Sequence, residues 1–340
     1  MKRLRLCALT TVTLCACAAP QSEPRPSYAF EPVPWSAGDR WFKGNTHAHT
    51  TESDGDSTPE YVARWYKEHG YDFLVLSDHN VFTDPARLSA LTDSTFLLVP
   101  GEEVTSSFDG APVHVNGLNL PGVVEARTAE SLVGTIQANV DAIREVEGVP
   151  HINHPNFGWA FSADALAQVE NDRLIEIWNG HPTVHNNGGG GVLGLEAVWD
   201  ALLTNGKLIY GIATDDAHHF QGEFRAGRAN PGRGWVAIRA PALDPASLME
   251  ALEAGAFYAS TGVELADVVV AGGRMEVHIE NRGDFKYTTE FIGAGGVVLA
   301  ETTGNPAVYD VDSDVGYVRA KVTDSMGWVA WTQPLFVNAG

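Results

Sequence analysis

The chain has 340 residues, 44% hydrophobic and 19% charged, an ordinary globular balance with room for one large domain and a small one, or for two of medium size. Its formal net charge of −21 repels phosphate backbones and argues against nucleic acid as the main partner, although bound divalent metals can invert the local field for one small anionic substrate. All cysteines (Cys7, Cys15 and Cys17) lie at the extreme N-terminus, which excludes cysteine catalysis, disulfides and thiolate zinc sites from the rest of the chain.

The first residues read MKRLRLCALTTVTLCAC. A basic start precedes an apolar run that ends at small residues and is too short to span a membrane, so residues 1–16 are expected to be an export signal. Leu14-Cys15-Ala16-Cys17 resembles a bacterial lipobox with Cys17 as the lipidated first residue of the mature chain; plain secretion is the alternative. Ala18, where Asp would retain a lipoprotein at the inner membrane, implies outer-membrane sorting in a two-membrane bacterium. The expected location is therefore the cell envelope, facing the periplasm or the outside, with membrane contact through the lipid only. Residues 17–38 are rich in proline and polar side chains and read as an extended tether.

From residue 39 to 264, apolar strand-like runs alternate with helical patterns. WFKGNTH reads as a strand, and TPEYVARWYKEHG as a helix with Thr58 as N-cap, Pro59 in its first turn and Gly70 as its stop. YDFLVLSDH is a buried strand. The alternation continues through TFLLVPGEE, AESLVGTIQANVDAIREVEG, VPHINHP, SADALAQVEND, RLIEIWNG, LGLEAVWDALLTNG, KLIYGIATDDAHH, WVAIRA and DPASLMEALEAGA. Such alternation predicts an α/β fold, a parallel sheet covered by helices, with chemistry at the C-terminal ends of its strands. The glycines Gly188 to Gly191 match no phosphate-loop pattern and read as a flexible rim loop. Residues 265–340 change character to short alternating strands with Gly, Asn and Asp turns, the pattern of a small β-sandwich.

The polar clusters follow the apolar runs. His47 and His49 stand two apart in NTHAHT, Asp54 in ESDGDS, His79 in LSDHN, Glu103 in PGEEVTS, His114 in VHVNGL, His154 in INHPN, and Asp216 with His218 in TDDAHH. One strand-end histidine is usually a hydrogen-bonded rim residue; a whole series at successive strand ends is a shared site. Imidazoles and carboxylates without cysteine suit two or three divalent transition metals (zinc, manganese or iron) and not an all-oxygen calcium site.

In this order HxH, DH, GxE, HP and DxH resemble the PHP (polymerase and histidinol phosphatase) superfamily over about residues 40–262. The resemblance implies a distorted (β/α)7 PHP barrel with metals at its mouth. It further implies that His47, His49, Glu103 and Asp216 hold one metal, Asp54, His79 and His218 a second, and Glu103, His114 and His154 a third, Glu103 bridging. The family spacing selects Glu103 over Glu102 and Asp216 over Asp215, leaving Asp215 as a partner of the ligands. TDDAHH, the Gly234-Trp235 pair, the segment Ala251 to Gly262 and a C-terminal β-domain are similar to the branch that includes carbaryl (carbamate ester) hydrolases.

The activity so implied is hydrolysis by a metal-bridged hydroxide, with Asp216 central to catalysis and a small-molecule phosphate ester as the leading substrate. Carbamate, amide or carboxylic ester hydrolysis from the same site is an alternative, as is a surface-tethered binding protein with an inactive barrel. His181 and His185 lie near the expected rim, and His181 is a candidate donor to substrate or leaving group. His151 reads as internal. Arg225, Arg228 and Arg233 follow TDDAHH, and Arg225 and Arg228 are candidate anion binders, though a solvated loop is the simpler role. Trp159, Phe161 and Trp178 read as core or pocket floor. The N-terminal reading is checked by mass spectrometry of the exported protein's first peptide: residues 1–16 should be absent and Cys17 acylated, and an unmodified Cys17 would sink it.

Overall fold

The computed structural model describes residues 28–36 and 38–339; the expected export signal, Cys17 and the first part of the expected tether lie outside the described residues. In chain order come β1 (Tyr28–Phe30), β2 (Arg40–Asn45), α1 (Pro59–Glu68), β3 (Phe73–Val75), β4 (Leu97–Val99), β5 (Gly101–Phe108), β6 (Ala111–Leu118) and α2 (Leu132–Glu145). Next are β7 (Val149–Ile152), α3 (Ala163–Leu166), β8 (Leu174–Asn179), α4 (Leu195–Thr204), β9 (Tyr210–Thr214), β10 (Trp235–Ala240), α5 (Pro245–Ala254) and β11 (Phe257–Ser260). Then follow β12 (Leu265–Ala271), β13 (Arg274–Ile279), β14 (Tyr287–Gly293), β15 (Val297–Thr302), β16 (Ala307–Asp310), β17 (Tyr317–Asp324), β18 (Val329–Thr332) and β19 (Leu335–Ala339). No helix among the described residues is long and apolar enough to cross a membrane.

The helices start where the sequence signals them. The Thr58 side chain accepts from the amide of Tyr61 ahead of α1, Ser131 from Gly134 ahead of α2, and Asp244 from Ser247 ahead of α5. Gly255 ends α5 at φ 78°, where a Cβ would lie 2.4 Å from the Tyr210 ring, so both conformation and space demand glycine.

Two sheets make the part of the fold that carries the site. In one, β10, β2, β3 and β4 lie side by side; in the other, β5 to β9 follow one another in order. Single parallel bridges join them, His79 to Glu103 and Ala48 to Ala217. The first continues the register in which Val75 lies beside Val99, so β4 and β5 are one strand interrupted at Pro100. The second arises because β2 changes partner: residues 40–44 pair with β10, and Ala48 pairs with the segment after β9. The strands thus close into a ring.

This ring shows the α/β character of the distorted (β/α)7 barrel that the resemblance implies, but not seven strand–helix units. β5 and β6 form an antiparallel hairpin, and β6 also runs against β7. Of the connections, α1, α2 and α4 are full helices, α3 is a single turn, and the links from β3 to β4 and from β5 to β6 carry no α-helix. The run TFLLVPGEEVTSSF reads as a strand before a helix, but the residues Asp109-Gly110, both at positive φ, turn it straight back as a hairpin.

Beyond β11, the sheet of β12, β13 and β16 faces β14, β17 and β18 across a core of Met275, Val277, Phe291, Val318, Ala320 and Val322. The expected boundary at residue 264 marks a change of element type without a break in hydrogen bonding. β18 pairs with β11, and Ala237, Tyr258 and Phe30 share the sandwich core. The tether expectation is corrected at its end, since Tyr28–Phe30 pair with β19. Side chains fasten the two parts further. Gln333 mimics a peptide, accepting from the Gly211 amide at 2.8 Å and donating to the Gly211 carbonyl at 2.9 Å. Arg319, 1% exposed, donates to Asp200 at 2.9 and 2.7 Å and to Glu196 at 2.9 Å, lying over the Trp199 ring of α4.

Removing Asp200 would leave the buried Arg319 with Glu196 as its one remaining acidic partner. Asp200→Ala should lower unfolding free energy by about 3–5 kcal/mol, while Asp200→Leu with Arg319→Met should recover most of that loss. Denaturant titration of the three proteins checks this.

Candidate metal centre

The ring closes through the segments that carry the histidines and carboxylates. The His49 amide donates to the Ala217 carbonyl, the Asp216 amide to His47, Ser77 to Ala48, Asn80 to Glu103, and Glu103 to Asp78, all within 3.2 Å. The ends of β2, β3, β7 and β9 and the start of β5 therefore meet at one rim. His114 joins them from the first half of β6, because a strand running the other way must offer its N-terminal part to that rim. All the residues expected as ligands come together there.

They form overlapping groups whose candidate donor atoms lie within 4.8 Å of one another: His49, Asp54, His79 and His218; His47, His49 and Asp216; His47, Glu103 and His154; and His79, Glu103 and His114. Glu103 is common to two of these groups. Its Oε2 faces His47 at 3.4 Å, His49 at 3.3 Å and His79 at 3.0 Å, and its Oε1 faces His114 at 2.9 Å and His154 at 3.4 Å. Asp216 Oδ1 lies 3.4 Å from His47 and 3.3 Å from His49. Asp54 lies 3.3 Å from His218, 3.4 Å from His49 and 3.6 Å from His79. The donor groups overlap beyond the grouping implied by the resemblance: His49 also lies with Asp54, and His79 also lies with Glu103.

The donor set fits divalent metal ions. A zinc ion about 2.0–2.1 Å from each of four tetrahedral donors sets neighbouring donors about 3.3 Å apart, the spacing most of these atoms show, and longer than a good imidazole–carboxylate hydrogen bond. Glu103 Oε2 and His114 Nδ1 are buried and make no well-formed hydrogen bond in the protein, as ligands of a cation would.

The electrostatics point the same way. Burial alone would push the His47 imidazole down, yet Asp216, Glu103 and Glu176 raise it to about 10. His79 is raised against burial to about 9 by Asp54 and Glu103. Burial would raise Glu103, but His114 and His47 hold it well below the usual carboxylate range, and His47 and His49 do the same for Asp216. Asp54, Glu103 and Asp216 thus share a pocket, with Glu176 behind it, that selects positive charge.

Asp216 reaches the rim by a kink. It sits at φ 48°, so Asp216 and His218 share the mouth because the chain turns left-handed at Asp216, not because side chains alternate along an extended strand. Asp215 is no partner of the ligands. It is fully buried and accepts from Tyr66 Oη at 2.8 Å and from the amides of Gly232, Arg233 and Gly234 at 2.6–2.9 Å, pinning α1 and the 232–234 turn. Glu102 turns away from the cluster and accepts from Val124, and burial raises its carboxyl to about 7.

The arginines stay outside. Arg228 pairs with Asp56 at 3.3 Å and the Arg225 side chain is exposed, so neither lines the mouth; Arg233 donates to the carbonyls of Gly180 and Arg225. Trp159 is exposed and stacks on His185, Phe161 and Trp178 pack in the core, and His151 is buried beside Glu176. Besides the ligands, Phe157 and His181 line the mouth, a cavity of about 120 Å³. Burial lowers the His181 imidazole to about 4. A second cavity of about 140 Å³, under Trp35 and Trp41, is apolar and has no histidine among its lining residues, so the chemistry is not there.

Sequence reasoning missed the residues behind the ligands. Glu176, in the middle of the apolar strand LIEIW, is fully buried. It meets His47 Nδ1 at 2.7 Å and accepts from Thr214 Oγ1 and the His154 amide, which leaves His47 Nε2 facing the cluster. Asn153 donates to Glu103, and Asn179 to Asp216 and Glu176. Asp78 accepts from Thr50 and Ser53, holding the turn before Asp54. A carboxylate inside an apolar strand was the available signal.

No family model matches the chain. A curated protein, the 5'-3' exoribonuclease of Haemophilus influenzae, is 31% identical over 110 residues, 32% of this chain and 37% of that protein, so the match spans little more than a third of the relative's length. A solved two-domain protein from Bacteroides vulgatus, described as containing a PHP-like metal-dependent phosphoesterase, superposes with TM-score 0.50 over 93% of this chain and 91% of its own, at 16% identity. That likeness is one of fold across both the ring and the sandwich. A metal-dependent phosphoesterase structure from Bifidobacterium adolescentis reaches TM-score 0.40 over 55% of this chain and 89% of its own (14% identity), and an amidohydrolase from Chromobacterium violaceum reaches 0.38 over 54% and 93% (16% identity).

Glu176→Gln should weaken metal binding ~10–100-fold, read by titrating zinc into chelator-treated protein. In that titration wild-type affinity should rise with pH from 6 to 9, because a cation must displace the proton that the raised His47 and His79 carry below about 10 and 9. A flat profile would contradict it.

Proposed function

We propose that the chain is a metal-dependent hydrolase of the PHP kind that cleaves a small phosphate ester. The observation that carries this reading is the set of overlapping donor groups sharing Glu103, His47, His49 and His79 at the mouth of the ring. Donor atoms common to two groups suit metals held close together, as in hydrolytic sites with more than one metal. The fold shared with the Bacteroides protein and the name of the Haemophilus relative, an enzyme that cuts phosphodiesters, support phosphate over carboxylic or carbamic esters. A mouth of about 120 Å³ on a chain of net charge −21 suits a compact ester better than a long polyanion.

Divalent metals held here would acidify water and neutralise the charge of the phosphoryl oxygens. The protein's own part is to hold the donors rigidly. Glu176 orients His47, Thr105 Oγ1 meets His79 Nδ1 at 2.6 Å, and Asn153 and Asn179 each fix one oxygen of Glu103 and Asp216. Phe157, edge-on to His154 at 5.1 Å, supplies the one apolar wall and keeps water from that side of the mouth. Export and attachment through Cys17 are part of the same proposal and place the reaction in the cell envelope.

Purified protein should carry two or three equivalents of transition metal and hydrolyse phosphomonoesters or diesters, and chelation should abolish turnover and lower Tm. Asp216→Asn should be metal-deficient and nearly inactive. Asp215→Asn should keep its metals but lose about 1–3 kcal/mol of stability, because an amide cannot accept all the bonds that the carboxylate accepts. Full activity without metal would sink the reading.

A further inference from the structure

His181 is the one imidazole at the mouth that belongs to none of the donor groups. Its Nδ1 accepts from the Thr183 amide at 3.3 Å and lies 2.8 Å from Thr183 Oγ1. A backbone amide can only donate, so Nδ1 must present its lone pair, and in the neutral ring the proton sits on Nε2. A nitrogen that carries a proton cannot ligate a metal but can donate a hydrogen bond.

The segment bearing this ring is fastened on both sides. The His181 amide donates to Asn179 Oδ1 at 2.8 Å, while Asn179 Nδ2 donates to Asp216 Oδ2 at 3.1 Å, so one amide side chain sets the spacing between His181 and a candidate ligand. The Gly180 amide donates to the Thr214 carbonyl, and the Gly180 carbonyl accepts from Arg233. Gly180 itself packs so closely that a Cβ would lie 2.7 Å from the Asp215 carbonyl oxygen. The ring meets His218 edge to face at 5.2 Å, and no protein group accepts from Nε2 among the described residues. A fixed donor is thus held beside the ligands with its proton free for something that enters the mouth.

We infer that His181 is a catalytic residue that donates a hydrogen bond from Nε2 to the leaving-group oxygen of an alkyl phosphate ester, with Thr183 as the positioning residue that fixes its tautomer. The inference rests on the hydrolase reading and adds the substrate class. The floor of the mouth, with Glu103 and Asp216, is where cations would meet the phosphoryl oxygens; His181 is the neutral donor left for the departing oxygen. An alkoxide develops more charge as it leaves than a nitrophenolate does and gains more from such a donor. One preorganised donor of this kind is worth ~10²–10³ in kcat.

The test uses zinc-loaded full-length protein. Long-range proton–nitrogen NMR correlations should show His181 protonated at Nε2 in the wild type and a mixture of tautomers in Thr183→Val. Against phosphate monoesters of graded leaving-group pKa, His181→Ala should lose ~10²–10³ in kcat on alkyl esters and less than about tenfold on nitrophenyl phosphate, and His181→Gln should recover part of the loss. Zinc content should be the same in all variants. An Nδ1-protonated His181, or equal losses across the series with turnover otherwise intact, overturns the role of His181 alone. Failure of the wild type to hydrolyse any ester overturns the hydrolase reading and this role with it.

Discussion

Everything at the rim depends on one constraint: buried carboxylates must meet positive charge, and the backbone that brings them together is the backbone that closes the ring. Glu103 and Asp216 are buried at the floor of the mouth, where little water reaches to solvate them. The peptide groups of the segments carrying His47, His49, His79, Glu103 and Asp216 bond to one another, so no ligand can move without loosening a sheet joint. Tertiary closure and the meeting of imidazoles with carboxylates are the same event here, so any ion held at the rim would be coupled to folding.

Behind this lies a layer of side chains that make rigidity out of hydrogen bonds. Glu176 reaches His47, His154 and Thr214, three strands in one contact. Asn179 ties Asp216 to both Glu176 and the turn before His181. Farther out, Gln333 and Arg319 carry the support into the C-terminal sheets, which are extensions of the wall that holds the rim and supply no candidate ligand.

Much of this was legible in the sequence, for identifiable physical reasons. The start of α1 at Thr58 follows from local capping, and the series of histidines and carboxylates follows from the habit of sheet proteins of placing polar residues at strand ends. What was not legible depends on long-range geometry. The direction of β6 is decided by the Asp109-Gly110 turn, which hydrophobic pattern does not report, and with it the entry of His114 from the opposite direction. The face of Asp216 is decided by a left-handed kink, and Asp215 looks like a ligand's neighbour until its four partners are seen to be Tyr66 and the 232–234 amides. Arg225 and Arg228 enter as candidate anion binders beside the simpler solvated-loop role, because charge is visible in a sequence and direction is not; the structure keeps both outside the mouth. Residues 28–30 read as tether because so short a strand takes its partner from the far end of the chain.

The pairing of β18 with β11 has a consequence for how the chain can be divided. β11 is wholly buried, and β18 covers its outer side. A chain ending after residue 264 would turn β11 into a bare sheet edge with free amides and carbonyls, the kind of surface on which another chain adds as a further strand. The sandwich therefore covers an edge open to self-association, and the ring cannot be excised cleanly where the sequence changes character.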